Sequence, residues 1–278
     1  MSVSLDDLAI IRSLQDNTPF TCVSSQQTIT YSQVSSFVYC PILAAKKVPT
    51  DSPHEKLVLD FLRLVAKAYF DPENPVSIRW VVDEWDRRWQ DLVRQYGKNT
   101  GGYGTVQMQA SAGIQKIMML HGWITKNLDR NDVALVAFPM SAIMTDDIKL
   151  VGDVDVVLKT GEFMTIMLQP NRTAHPYSSK WLWDAMMWDE GPRPVAANGR
   201  GFVLEVGNKT KITRKDPVLT PALKANYTYF LKAIKETISM EVIPGKFLLK
   251  TCPECQYCGG KHYALAKEIR AQERNNPG

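Results

Sequence analysis

The chain has 278 residues, is 45% hydrophobic and carries a formal net charge of +4, so a sizeable core is expected and nucleic-acid binding is permitted but not required. Five cysteines are too few for a disulfide-stapled secreted protein. No window approaches the roughly 18 uncharged apolar residues of a membrane span, and the opening residues lack the basic and apolar segments of a signal peptide. We therefore expect a cytoplasmic protein with a single domain over 1–278.

The first half of the chain predicts helices. Residues 28–40 indicate a short strand or turn followed by a helix that Ser32 caps. The next helix begins with Ser52 as its cap and Pro53 in its first turn. Three longer helices are predicted, over 51–70, 77–97 and 106–128.

The second half changes to an alternating period. Strands are predicted over 132–144, 148–159, 162–170 and 201–213. Helices are predicted over 178–188, over 220–239 with Thr220 as cap, and over 262–274. The expected fold class is α/β or α+β, with a mostly antiparallel sheet flanked by helices. Its parts are a helical part over 28–130, a core over 131–240 and a cysteine region over 241–278.

A cysteine cluster near the C-terminus predicts a metal centre. Its members are two residues apart: Cys252, Cys255 and Cys258. His262 is a possible fourth ligand of a zinc site, whereas an iron–sulfur cluster would take a distant thiolate. Cys40 is the candidate for that thiolate and Cys22 a weaker one, although a lone cysteine is more often a buried core residue. Spacing alone leaves iron–sulfur and zinc open.

The stretch ITYSQVSSFVYCP, residues 29–41, resembles the opening of RecB-like iron–sulfur nucleases. These include the CRISPR-associated nucleases, the AddB-type helicase–nuclease subunits and their viral relatives. In that family, one cysteine followed by proline and three cysteines at the C-terminal end hold a [4Fe–4S] cluster that ties the chain ends together. The resemblance therefore implies a cluster held by Cys40, Cys252, Cys255 and Cys258. The last spacing is shorter than the family often has, which leaves zinc as the alternative.

The same resemblance implies a PD-(D/E)XK active site. Such a site needs two carboxylates on adjacent strands to hold Mg²⁺ or Mn²⁺, and a lysine that stabilises the developing charge. LVGDVDVVLKTGEF resembles the family's G-x-x-D strand, with Gly152 and Asp155 in the expected places. Asp153 lies two residues before Asp155 and so on the same face, and we expect both to face a cleft. His54 corresponds to a metal-binding histidine of the family. Alternatively, Asp153 and Asp155 form a solvated acidic face, and His54 is a polar surface residue at the start of a helix.

The second carboxylate departs from the family pattern. The shortest alignment places Gln169 and Asn171 at the carboxylate and the lysine, and neither can replace them. A second alignment, on GFVLEVGNKTK, places Glu205 in an apolar strand and Lys209 one strand step beyond the usual lysine. The resemblance then implies Asp155, Glu205 and Lys209 as catalytic residues, with Glu205 expected on a strand next to Asp155. Alternatively, Glu205 is a structural carboxylate paired with a nearby cation.

Three functional hypotheses follow. The first is a metal-dependent DNA nuclease, an exonuclease in a prokaryotic or virus-infected cell. The second is an inactive nuclease-fold protein that binds DNA or a protein of a recombination, replication or virus-related complex. The third is a zinc-knuckle transcription or virion component. The cations Lys211, Arg214 and Lys215 are predicted to contact phosphates in the first two cases.

Overall fold

The computed structural model describes residues 26–39, 44, 52–70, 77–101, 104–169, 177, 179–193, 200–207 and 211–239. Six α-helices lie in these ranges: α1 (Tyr31–Tyr39), α2 (Pro53–Phe70), α3 (Ile78–Tyr96), α4 (Val106–Asn127), α5 (Lys180–Glu190) and α6 (Pro221–Ser239). Six strands accompany them: β1 (Gln27–Thr30), β2 (Val133–Thr145), β3 (Ile148–Leu158), β4 (Phe163–Leu168), β5 (Gly201–Val206) and β6 (Ile212–Lys215). No helix in the described ranges is long and apolar enough to cross a membrane.

The strands form one mixed sheet in which β3 is central. β2 pairs antiparallel with β3 along nearly its whole length. On the other side of β3, β1 pairs in parallel at 148–151 and β4 pairs antiparallel at 156–157. Beyond β4 the sheet continues with β5, which pairs in parallel with β4. It ends with β6, which pairs antiparallel with β5. β2 is therefore an edge strand, which is why it tolerates Pro139.

Helices cover both faces of the sheet. One hydrophobic core lies between the sheet and α1, α5 and α6, and the other lies between the sheet and α2, α3 and α4. The second core stacks Trp85 on Trp89 at 5.9 Å between ring centroids, with Phe61 edge-on to Trp85. A sheet flanked by helices is the fold class that the sequence predicts, and three of its five strand pairings are antiparallel.

The helix starts are fixed by capping side chains. Thr30 and Gln33 form a capping box, in which the Gln33 Oε1 accepts from the Thr30 backbone N–H at 3.0 Å. The cap of α1 is therefore Thr30, and the prediction of Ser32 is wrong because the helix begins at Tyr31, two residues earlier than a Ser32 cap implies. Ser52 caps α2 as predicted: its Oγ accepts from the Glu55 N–H at 3.1 Å.

The predicted strand over 201–213 is instead two strands. β5 ends at Val206, and the Gly207 N–H donates to the Lys211 carbonyl at 3.1 Å as the chain returns in β6. The apolar run ends at Gly207, and glycine is a common turn residue. The predicted helix over 262–274 lies outside the described residues.

Candidate active site in a gap beside β3

The candidate site lies where β3 lacks a strand partner on one side among the described residues. β1 pairs with β3 up to Val151, and β4 pairs with it only from Val156. The four residues between, 152–155, face a gap, because β4 diverges from β3 and continues beside β5. Asp155 is the last residue of this unpaired stretch, so its carboxylate lies at the point where the two strands separate.

The Asp155 carboxylate is held by two protein donors. Its Oδ2 accepts from the backbone N–H of Ile166 at 2.7 Å, so the side chain takes an amide that a regular ladder would give to β3. Its Oδ1 accepts from the Arg63 Nε at 2.9 Å. The residue is 4% exposed, and a buried carboxylate of this kind needs such partners.

Arg63 reaches Asp155 from α2, on one side of the sheet. Burial disfavours its charge, but the carboxylates of Asp155, Asp184 and Asp60 outweigh that effect and raise the pKa of Arg63. Its side chain is 34% exposed. The guanidinium therefore lies between the buried carboxylates and solvent.

A second charged pair reaches the same gap from α5, on the opposite face. Lys180 donates to the Asp153 carbonyl at 2.8 Å and to the Asp184 carboxylate. Asp184 also accepts from the Thr165 hydroxyl of β4 at 2.7 Å. Burial, partly opposed by Lys180, raises the pKa of Asp184 to about 6, and the Asp155 charge adds to that rise.

A cavity of about 270 Å³ opens beside this gap. Its lining comprises Asp153, Asp155 and Lys180, together with Arg63, Trp183 and the first turn of α1. Asp153 and Asp155 both line this cavity, but Asp155 is buried whereas Asp153 is exposed. The Trp183 indole N–H, fully buried, has no hydrogen-bond partner in the described ranges.

The backbone opposite Asp155 is strained. Ala137 of β2 lies between Val136 and Phe138, which pair with Val156 and Val154. Its φ is 48°, the single positive value for a non-glycine residue in the described ranges. A left-handed alanine costs about 1–2 kcal/mol. Strain of this kind concentrates at functional sites, and Ala137 lines the cavity.

Glu205 does not lie beside Asp155. β4 separates its strand from β3, so the expectation of a neighbouring strand is wrong. Two strand spacings place the backbones about 10 Å apart. The Glu205 carboxylate accepts from the Lys215 Nζ at 2.6 Å, which is the structural pairing that the sequence left open.

His54 lies near the start of α2, away from Arg63. Its Nε2 is 3.1 Å from the Gln109 carbonyl, and its ring packs edge-on against Trp89. Burial lowers its pKa. Arg63 is nine residues further along α2, about 13 Å in rise. Among the described residues, no group of three histidine, cysteine, aspartate or glutamate side chains is arranged to hold a metal ion.

The three predicted phosphate-binding cations do not share one face. Arg214 stacks on Phe202 at 4.0 Å and pairs with Asp216 at 2.8 Å. Lys215, the next residue along β6, points to the other face of the strand and pairs with Glu205. Lys211 is exposed at the start of this segment.

Seven predicted ligands or catalytic residues fall outside the described residues: Cys40, Lys209, Cys252, Cys255 and Cys258, with the alternative ligands Cys22 and His262. Their roles stay predictions, as do those of His54, Asp153 and Asp155. Sequence reasoning missed Arg63, Lys180 and Asp184. The available signal was the pair of opposite charges four residues apart in the otherwise apolar stretch KWLWDAMMW, which indicates a buried ion pair.

The comparisons with known proteins bear on the fold. A solved structure described as "Putative exonuclease", from Eubacterium rectale, superposes with a TM-score of 0.52 over 94% of each chain, at 11% sequence identity. The two chains share a fold. No protein-family model matches the sequence, and no curated protein does. The predicted fold class, a sheet flanked by helices, is thus shared with a solved protein, while membership of the iron–sulfur nuclease family stays a prediction.

Proposed function

We propose that this chain is a DNA nuclease that hydrolyses phosphodiester bonds with a divalent metal ion bound beside Asp155. The observation that carries the proposal is the Asp155 carboxylate, which lies in the gap between β3 and β4 and faces an open cavity. The shared fold with the Eubacterium rectale protein, itself described as a "Putative exonuclease", adds support.

The side chains fit a hard divalent cation. Mg²⁺ takes oxygen ligands and is often bound by one or two carboxylates with substrate phosphates and water. Each Asp155 oxygen accepts one hydrogen bond, and a carboxylate has about four acceptor positions. The carboxylate can therefore accept an ion while it keeps both protein donors.

The reaction is a hydrolysis. A bound metal would lower the pKa of a water and neutralise phosphate charge. The water oxygen forms the new P–O bond, the bridging P–O bond breaks, and the departing oxygen takes a proton. Asp155 would fix the position of the metal ion. Asp153 lies at the mouth of the cavity, where it is exposed and can contact groups that enter from solvent.

One observation favours a second function, an inactive nuclease-fold protein that binds DNA or a protein partner. Arg63 supplies a positive charge to Asp155 within the site. Such a cation can replace a metal as the counter-charge. In this case, the fold retains the cavity and the buried charges without hydrolysis.

The deciding experiment incubates end-labelled linear DNA and circular DNA with the full chain and Mn²⁺ or Mg²⁺. The nuclease proposal expects metal-dependent degradation that Asp155→Asn abolishes. Asp189→Asn is the matched control, because Asp189 lies at the surface of α5 and pairs with Lys224. An exonuclease leaves circular DNA intact. DNA binding without cleavage would support the second function. The absence of both cleavage and DNA binding would contradict DNA as the substrate.

We also propose that Cys40, Cys252, Cys255 and Cys258 hold a [4Fe–4S] cluster, with zinc as the alternative. α1 ends one residue before Cys40, and its Phe37 packs against Phe230 of α6 at 5.5 Å. The 13 residues from Ser239 to Cys252 can span up to about 45 Å, enough to return to the end of α1. Metal analysis and the absorption spectrum of anaerobically purified protein distinguish iron–sulfur, zinc and no metal.

A further inference from the structure

We propose that the cavity beside Asp155 receives a phosphate group of DNA and that Arg63 is the residue that recognises it. The guanidinium presents its two terminal nitrogens to phosphate oxygens, and the first turn of α1 and the Trp183 indole complete the set of donors. This inference rests on the proposed function, because it takes DNA as the ligand. It assigns substrate binding to a residue of α2 that holds no metal ion.

Most of the Arg63 guanidinium is unused by the protein. Its Nε donates to the Asp155 Oδ1 at 2.9 Å, which takes one of the five N–H groups of an arginine. The other four, on the two terminal nitrogens, have no hydrogen-bond partner among the described residues. Arginine and carboxylate groups frequently form two parallel bonds. The single bond seen here leaves the terminal nitrogens for another acceptor.

Arg63 also lies where a ligand can reach it. Its side chain is 34% exposed and lines the cavity, and the bond to Asp155 restrains the guanidinium. Lys180, the other cation of the lining, is 7% exposed and already donates to the Asp153 carbonyl and the Asp184 carboxylate. Arg63 is therefore the cation available to a phosphate, which a guanidinium binds through two parallel hydrogen bonds.

The start of α1 forms another wall of the cavity. Thr30, Tyr31 and Ser32 line it, and the first amides of a helix have no acceptor within the helix. The positive end of the helix dipole lies here and attracts anions. The first turn of α1 contains no acidic side chain that would neutralise this end. The helix start thus adds to the attraction for a phosphate.

The Trp183 indole is an independent sign of a ligand. Trp183 lines the cavity and is fully buried, and its N–H lacks a partner among the described residues. Such a donor is costly to leave unpaired, and a phosphate oxygen would pair with it. A Cβ at Gly152 would lie 2.9 Å from the Trp183 Nε1, so the glycine leaves space beside the donor. In the described part of the chain, Trp85, Trp181 and Trp188 have unpaired indoles as well, but none of them lines this cavity.

The charges around the cavity predict that a metal ion assists the binding of phosphate. The lining sets Arg63 and Lys180 against the carboxylates of Asp153 and Asp155, and Lys180 is also paired with the buried Asp184. The cavity is therefore not positive by itself, and Asp153 at its mouth repels an anion. A divalent ion beside Asp155 would reverse that balance. We expect DNA to bind more tightly in Ca²⁺ than in EDTA.

The first test measures binding of a short DNA duplex to the full chain in Ca²⁺ by fluorescence anisotropy, with thermal melting to check that each variant is folded. Arg63→Met should weaken binding by about 10- to 100-fold, as expected for hydrogen bonds to a charged group. Arg88→Met is the matched control, because the Arg88 Nε donates to Glu84 at 2.7 Å outside the cavity. The control should bind DNA as the wild type does.

Mn²⁺ binding separates phosphate recognition from a purely structural role. Calorimetry without DNA should show that Arg63→Met binds Mn²⁺ at least as tightly as the wild type, because a positive charge beside Asp155 is removed. If Arg63 served only to hold Asp155 in place, its loss would weaken Mn²⁺ and DNA binding together. That result would overturn the proposal. Unchanged DNA affinity in the folded variant, or no DNA binding by the wild type, would also overturn it.

The ends of the duplex distinguish two sources of the phosphate. Three duplexes of one sequence carry a 5′-phosphate, a 3′-phosphate or hydroxyl ends alone. A terminal phosphate as the ligand predicts that the wild type prefers one phosphorylated duplex and that Arg63→Met loses this preference. An internal phosphodiester predicts equal binding of all three, and Arg63→Met then weakens all three. Either pattern supports the phosphate site.

Trp183→Phe tests the indole donor, because phenylalanine keeps an aromatic ring but has no N–H. We expect DNA binding to weaken by about 3- to 10-fold, the effect of one neutral hydrogen bond. Trp188→Phe removes a buried N–H from the same helix, outside the cavity, and should bind DNA as the wild type does. Equal DNA affinities in the two variants would overturn the role of Trp183.

The two proposals fail in different ways. DNA binding that depends on Arg63, without any cleavage, would retain the phosphate site and reject the nuclease. Metal-dependent cleavage that Asp155→Asn abolishes, but that is unchanged in folded Arg63→Met, would retain the nuclease and reject the role of Arg63.

Discussion

The Arg63 guanidinium donates to the Asp155 carboxylate at 2.9 Å and so joins α2 to the central strand β3. The two residues are 92 positions apart in the chain. The bond connects a helix of one layer with the strand on which the gap is formed.

This ion pair predicts a measurable coupling energy. Arg63→Met should destabilise the fold by about 1–3 kcal/mol, less than a fully buried pair because the guanidinium is partly exposed. Asp155→Asn in the same chain should recover part of that loss, since no unpaired charge then remains. Urea unfolding of both single variants and the double variant measures the coupling. Additive losses would show that the pair contributes no coupling.

The positive φ of Ala137 predicts that glycine is the better residue there. Ala137→Gly should remove strain worth about 1–2 kcal/mol, partly offset by the greater freedom of glycine in the unfolded chain. Ala142→Gly is the control on β2, where φ is not positive and the change should destabilise. An equal decrease in melting temperature in both variants would contradict the strained conformation of Ala137.

The raised pKa of Asp184 predicts a specific pH dependence of stability. Folding raises its pKa from 3.8 to about 6, so the folded state binds a proton between these values that the unfolded state does not. This residue's contribution to stability therefore decreases as pH rises from about 4 to 6, by up to about 3 kcal/mol. Urea unfolding in EDTA at pH 4 and pH 7 should show that decrease in the wild type relative to Asp184→Asn. If the free energy of unfolding changes with pH in the same way in the wild type and in Asp184→Asn, the pKa of Asp184 in the folded state lies near its ordinary value.

The cysteine centre predicts a selective loss of metal. Cys40→Ser should lower the bound iron or zinc and, if iron is present, the visible absorption, because one of four thiolates is removed. Cys22→Ser should leave both unchanged. Full metal content in Cys40→Ser would show that the C-terminal cysteines complete their site without Cys40, with His262 as the remaining candidate.

The basic segment of β6 predicts a small electrostatic contribution to DNA binding. Changing Lys211, Arg214 and Lys215 together to alanine should reduce the salt slope by about 1 and not by about 3, because two of the three already pair with carboxylates. DNA affinity at several salt concentrations provides the slope.

A variant with three exposed cations of α3 and its flank changed, Arg79, Arg94 and Lys98, is the matched control. Identical affinities and slopes in the wild type and the β6 variant would remove this segment from the DNA interface.

Local patterns in the sequence predicted most elements but not the contacts between them. The helix over 53–70 follows from the Ser52 cap and its apolar stripe. β2 was predicted despite Pro139 because its sequence, VALVAFPMSAIMT, is an almost continuous apolar run. The end of β5 at Val206 was missed because an apolar residue recurs at Ile212, within the predicted strand.

The site was predicted in part for the same reason. Asp155 is marked by its place in an apolar strand. Its partners, by contrast, come from α2 and α5, and only the folded arrangement brings them to the gap. The expectation for Glu205 failed because the alignment to the family motif passed over β4, which lies between β3 and β5 in the sheet.

The parallel pairing of β1 with β3 also has a consequence for synthesis on the ribosome. Thr30 is 118 positions before Ile148, the first residue of its partner strand. At a translation rate of roughly 5–20 residues per second, synthesis of β3 begins about 6–24 s after synthesis of β1 ends. The wall of the cavity that Thr30 and Ser32 form can therefore be built only after the helices between have emerged, so the site is assembled late, when the nascent chain already carries α2, α3 and α4.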